Sequence, residues 1–285
     1  MALGNGLLAR AIATRPGFRW GAAFALLLAL PLAIANGYQQ YLVDLIMINI
    51  VLAVGLNIVK GFAGQVNVGH VALATLALAE SVRIFIAVTD YLGASVGYGD
   101  IPPPIIAGWR LDAYAAYYYV VMPVAVIGTY IAFSILHSDV GRAFKAIRED
   151  TLAAAASGIN VRKYKLLAFV ISALYAGCAG SLAAHMAPGF IHPDDYNLTR
   201  MITVILMVVA GGLGHVWGGV IGAALITLVA EWTRSYYQYE FIIFGLIVVL
   251  TMMYMPRGIG GYIDRRLATR RFVALRTSKA AAKAV

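Results

Sequence analysis

Seven stretches without Asp, Glu, Lys or Arg run through this chain: 20–35, 45–59, 61–79, 113–136, 166–193, 201–230 and 241–256. A segment of about 20 apolar residues crosses the ~30 Å hydrocarbon core of a bilayer. Most of these runs therefore read as one membrane helix each, flanks included. The 285 residues are 61% hydrophobic and 12% charged, against about 25% charged in a soluble domain. A water-soluble fold has too little interior to hide that much apolar surface. The chain is thus read as an all-α, polytopic transmembrane helix bundle, and a cytosolic enzyme is excluded.

The run 201–230 is too long for one straight crossing, since 30 residues at about 1.5 Å each reach about 45 Å. Gly211-Gly212 and Gly218-Gly219 offer a break. Charge sets the orientation. Residues 1–20 hold three Arg and no acid, 137–165 hold six Lys/Arg against three acids, and 256–285 hold eight against one. Such blocks mark the cytoplasmic side. With 201–230 split in two, eight crossings result and both termini are cytoplasmic. The stretches 89–112 and 188–200, with five acids and two Arg, then face outward. Tyr114, Tyr117, Tyr118 and Tyr119 read as interfacial anchors. The N-terminal run from Trp20 is read as a retained membrane helix, because Asn36-Gly37-Tyr38 is no small-residue cleavage site. The organisation expected is a cytoplasmic arm over 1–16, a membrane domain over 17–261 and a basic cytoplasmic tail over 262–285.

The basic excess does not point to nucleic acid, since basic residues are sparse away from the inner ends. The single cysteine, Cys178, has no partner for a disulfide or a CxxC site. Five histidines form no i, i+4 pair and no HExxH, and no P-loop is present, so neither a metal nor another cofactor is expected and the chain is not read as an enzyme. Glu80/Arg83 and Glu231/Arg234 stand at i, i+3, where each pair can neutralise itself on one helix face. Asp44 and Arg200 also border the apolar runs.

Three stretches carry more than hydropathy. In GFAGQVNVGH (61–70), glycine, two carboxamides and an imidazole sit at membrane depth. Irregular backbone survives there only against protein or a water-lined cavity, and a plain cytoplasmic turn is the other reading. Between His137 and Lys165, Val140, Phe144, Ile147, Thr151 and Leu152 fall at helical spacing before Gly158, a helix stop. This is a short cytoplasmic helix that either docks on a soluble partner or lies on headgroups. Gly211, Gly214, Gly218 and Gly222, and likewise Gly177 and Gly180, are spaced to let helices pack closely.

Together these stretches resemble the membrane permease subunits of branched-chain amino-acid ABC transporters. The likeness rests on GFAGQVNVGH, on VGRAFKAIREDTLAAAASGINVRKYKLLAFVISALYAGCAGSLAA, on GGLGHVWGGVIGAAL and on FIIFGLIVVLTMMYMPRGIGG, covering about Tyr41 to Gly261. Two departures stand out. Thr75–Ile84 is similar to a family segment that normally lies well downstream of the glycine motif, so a piece is missing around 71–74. Asn67 stands where the family usually has Ser.

The resemblance implies half of a permease pair in the bacterial inner membrane, with a second, different permease chain, cytoplasmic ATP-binding subunits and a periplasmic substrate-binding protein as partners. It implies that Arg142, Phe144, Ile147, Arg148 and Gly158 couple to the ATPase, with Phe144 and Ile147 as the apolar anchor. It also implies that Gln65, Asn67, Gly69 and His70 border the substrate route. Branched-chain amino acids are the substrates implied, and urea or short amides the alternative within the family. A stand-alone secondary transporter or channel is the competing class, but no inverted repeat is evident and the amphipathic loop would have no task in it.

Overall fold

The structure, a computed structural model, describes residues 27–31, 34, 36–64, 70–89, 91, 93, 96–99, 101–106, 109–111, 113–186, 189–234, 240–254, 258 and 260–261. Helix α1 spans Gly37–Asn57 and widens into a π-turn over Ile58–Phe62. It is followed by α2 (His70–Val88), a two-residue antiparallel hairpin of β1 (Ile105–Ile106) and β2 (Trp109–Arg110), and α3 (Tyr114–His137). Two short helices follow, α4 (Asp139–Glu149) and α5 (Thr151–Ala156), then α6 (Val161–His185). A 3-10 turn at Pro193–Tyr196 leads into α7 (Leu198–Gly211), α8 (Val216–Thr233) and α9 (Glu240–Tyr254). Helix thus dominates as expected, the hairpin aside.

Among the described residues, four helices are long and apolar enough to cross a membrane: Gly37–Phe62, Tyr114–His137, Val161–His185 and Val216–Thr233. The run 201–230 is indeed broken, at Gly212–His215. Two boundaries are corrected. The run 61–79 is not one helix: the π-turn ends at Phe62 and α2 runs from His70 to Val88, past Glu80 and Arg83. Asp44 does not precede a span but lies inside α1, because Asn36 caps the helix earlier, its Oδ1 accepting from the Tyr38 amide at 3.0 Å.

Helix α1 is the central post. Its most apolar window is 61% buried, against 17–44% for the other three candidate spans, and α3, α6, α7 and α8 all pack on it. A helix apolar on every side belongs in such a place. Tyr117 and Tyr118 do not anchor at an interface. Both are buried, and their hydroxyls donate to the Leu182 carbonyl at 2.5 Å and the Leu27 carbonyl at 2.7 Å, clamping α3 to neighbouring helical segments.

The α7–α8 pair shows the close contact that its glycines suggest. A Cβ at Gly211 would strike the Gly218 carbonyl, and one at Gly222 would lie 2.8 Å from the Gly211 Cα. Gly214 serves differently, with φ +84° in the turn between the helices. The expectation fails within this chain at Gly177 and Gly180, where an added Cβ meets nothing within 4 Å. The packed side of α6 is instead the stripe of Ala168, Tyr175 and Ala179. The segments at 98–101 and 189–191, expected on one side of the membrane, do meet: Tyr98 and Ile191 exchange two backbone hydrogen bonds of 2.9 Å.

Candidate coupling node and membrane cleft

The loop over 137–165 is built by three local signals. Asp139 in the first turn of α4 and Arg148 in its last turn suit the helix dipole. Asp150 then interrupts the helix and caps α5, its Oδ1 accepting from the amides of Leu152 at 2.8 Å and Ala153 at 3.1 Å. Gly158 ends α5 with φ +83°, a conformation that costs a residue with a Cβ about 1–2 kcal/mol.

The loop's faces differ from expectation. Phe144 is 1% exposed and Ile147 3%, and the Phe144 ring meets Tyr164 edge-on at 6.3 Å. These two side chains bind α4 to the bundle and offer nothing to a partner. A helix of this length must bury its apolar stripe somewhere, and the membrane domain takes it. The outward groups are Arg142, ion-paired with Asp139, Lys145, Leu152 at 81% exposure, and Gly158.

Arg148, itself exposed, reaches back to the end of α1. Its Nη1 donates to the Gly61 carbonyl at 2.6 Å, and its stem lies against Gly64, which has φ +62°. Beside it Asn57, 1% exposed, accepts from the Gly214 amide at 3.0 Å and donates to the His215 carbonyl at 2.8 Å. Gly258 and Gly260 press on Gly211, Gly212 and Gly218 from a further segment. The four stretches that carry the family resemblance, far apart in sequence, therefore meet in one node, where glycines let backbones touch.

On another side of α1 a cleft of about 1380 Å³ opens between α1, α2, α6 and α7. Leu52, Leu56, Val204 and Ile205 supply apolar wall, and Lys60, Glu80, Arg83, Asp194 and Arg200 supply charge. Arg83 is doubly matched, to Glu80 at 2.5 Å and to Asp194 at 2.7 Å, while Glu231 receives Arg234 at 3.1 Å and Tyr38 at 2.5 Å. The i, i+3 pairs thus form as expected. Arg200 donates to Asn49 Oδ1 at 3.1 Å, and Asn49 Nδ2 donates to Thr227 Oγ1 at 2.9 Å. Of the residues expected on the substrate route, Gln65, Asn67 and Gly69 lie outside the described residues. His70 opens α2. Asn49 was missed because a single polar residue in an apolar run carries no pattern, whereas Arg200 was visible as a charge at a run's edge.

Comparison with known proteins agrees with this architecture. Residues 82–255 match the family described as "Branched-chain amino acid transport system / permease component". The high-affinity branched-chain amino acid transport system permease protein LivM of Escherichia coli K12 is 29% identical over 214 residues, 67% of this chain and 50% of LivM. LivH of Salmonella typhimurium, of the same description, is 30% identical over 199 residues, 65% of this chain and 64% of LivH. A probable LivH of Methanocaldococcus jannaschii is 29% identical over 151 residues, 50% of this chain and 46% of that protein. The chain spans about half the length of the LivM relatives it matches. No solved structure matches. The relatives are transport permeases rather than enzymes, and with several apolar helices able to span a bilayer the chain is a multi-pass inner-membrane protein. The family match covers more than half of the sequence, and the chain belongs to the branched-chain amino acid transport system permease family.

Proposed function

We propose that this chain is one of two permease subunits of an ABC importer for branched-chain amino acids, driven by cytoplasmic ATP-binding subunits and supplied by a periplasmic binding protein. In this reading eight helices cross the membrane over 17–261, both termini are cytoplasmic, and the loop 137–165 docks on the ATPase. The observation that carries it is the Arg148–Gly61 hydrogen bond. It ties a helix with an outward basic face to the end of the central post, so that a push on α4 and α5 has a stiff path into the bundle. Leu152, Arg142 and Gly158 form the surface offered to the motor, and the cleft beside α1 is the route it works on.

The test is Gly158→Arg and, separately, Leu152→Asp in the reconstituted complex. Both variants insert in the membrane at wild-type level but lose ATP-driven leucine uptake. Gly158→Ala controls for backbone strain and retains most uptake. Normal uptake by Gly158→Arg and Leu152→Asp overturns the docking surface. Uptake by the chain alone in liposomes, without ATP, overturns the importer reading and favours a stand-alone transporter.

A further inference from the structure

Charge in the cleft is matched on one wall and unmatched on the other. Arg83 sits between Glu80 and Asp194. The guanidinium of Arg200 has no acid partner among the described residues, and its hydrogen bond runs to the neutral Oδ1 of Asn49. Asn49 is 1% exposed, and its amide nitrogen is held by Thr227, which itself donates to the Ala223 carbonyl at 2.6 Å. The carboxamide oxygen is therefore turned to Arg200 by α8, and the guanidinium is aimed by a buried side chain.

Depth matters here. Asn49 lies about 18 Å along α1 from Gly37, at ~1.5 Å per residue, halfway along the candidate span Gly37–Phe62. Helix α7 has 14 residues, fewer than the roughly 17–25 of a full helical crossing. It begins at this level, so its positive end adds to the Arg200 charge. A cation at mid-membrane without a counter-ion is costly and is kept where it faces a water-filled path and a ligand. Leu52, Leu56, Val204 and Ile205 line the same cleft.

We infer that Arg200 is the carboxylate receptor of the cleft, oriented by Asn49, and that the solute in transit places its carboxylate there and an aliphatic group against the apolar wall. The inference rests on the transport reading above. It selects an aliphatic amino acid over urea or a short amide, which has no anion to pair with a guanidinium fork.

Two measurements test it. In the first, the full chain in nanodiscs is treated with phenylglyoxal and modification at Arg200 is followed by mass spectrometry. Leucine slows modification of Arg200 and an equal concentration of urea does not. No reaction at Arg200, or equal reaction with either solute, overturns the inference and leaves the importer reading standing. In the second, the reconstituted complex compares Arg200→Gln and Arg200→Lys. Arg200→Gln lowers leucine uptake per ATP hydrolysed by about tenfold, the effect of one charge-assisted hydrogen bond, while hydrolysis changes less than about twofold, and Arg200→Lys recovers part of the loss. Unchanged uptake in Arg200→Gln, or a parallel fall in hydrolysis that Arg200→Lys does not relieve, overturns it. Absence of ATP-driven uptake in the wild-type complex overturns the importer reading instead, and the labelling result then judges Arg200 alone.

Discussion

Single residues in this protein act through the few polar atoms the bundle encloses. Arg148 is exposed, yet its bond to the Gly61 carbonyl links α4 to a backbone oxygen at the end of α1. Arg148→Ala removes a charge-assisted hydrogen bond worth about 1.5–3 kcal/mol, and we expect uptake per ATP to fall severalfold in proteoliposomes while the ATPase subunits stay bound. Arg148→Lys recovers little, because an ammonium on a different stem does not reproduce the guanidinium geometry. Asp44 is the opposite case. It is wholly buried in α1 and neither carboxylate oxygen has a hydrogen-bond partner among the described residues. A charge in such a place is destabilising, so Asp44→Asn is expected to hold or raise the melting temperature in detergent. A clear fall would show that a group outside the described residues meets the carboxylate.

Elements meet here by small residues and by reach. The α7–α8 contact is so close that Gly222 has the Gly211 Cα 2.8 Å from where its Cβ would be. Gly222→Val overpacks the pair, at a cost of about 1–3 kcal/mol, and is expected to lower the melting temperature. Gly177→Val on the open side of α6 is expected to stay within about 0.5 kcal/mol, as surface changes do. A larger effect at Gly177 than at Gly222 contradicts the packing described. The coupling loop obeys the same logic with opposite sign. Phe144 and Ile147 are interior residues of the bundle, so Phe144→Ala is expected to cost about 3–5 kcal/mol and to read out as lost folding rather than as lost docking. Leu152, at 81% exposure, takes the place in the proposed docking surface that the family resemblance implied for Phe144.

For the whole molecule the two ends are distinct. One end gathers Asn57, Gly61, Arg148, Gly214 and Gly258; the 98–101 and 189–191 segments pair with each other and not with that node. In a Cys178→Ser background, Ser157→Cys is expected to react with an impermeant maleimide only in inside-out vesicles, and Tyr98→Cys only in intact cells. The same pattern at both positions removes the eight-crossing topology. Hydropathy and charge alone determined that the chain lives in a membrane, that 201–230 breaks at its glycines and that 137–165 holds an amphipathic helix, because each follows from short-range sequence against a fixed solvent. The rotation of one helix against another is not written there. A helix apolar all round, such as α1, has no favoured face in sequence, so only the packed bundle decided that Asn49 aims Arg200, that Phe144 turns inward, that Gly177 and Gly180 face away from the bundle and that four distant stretches close on a single node.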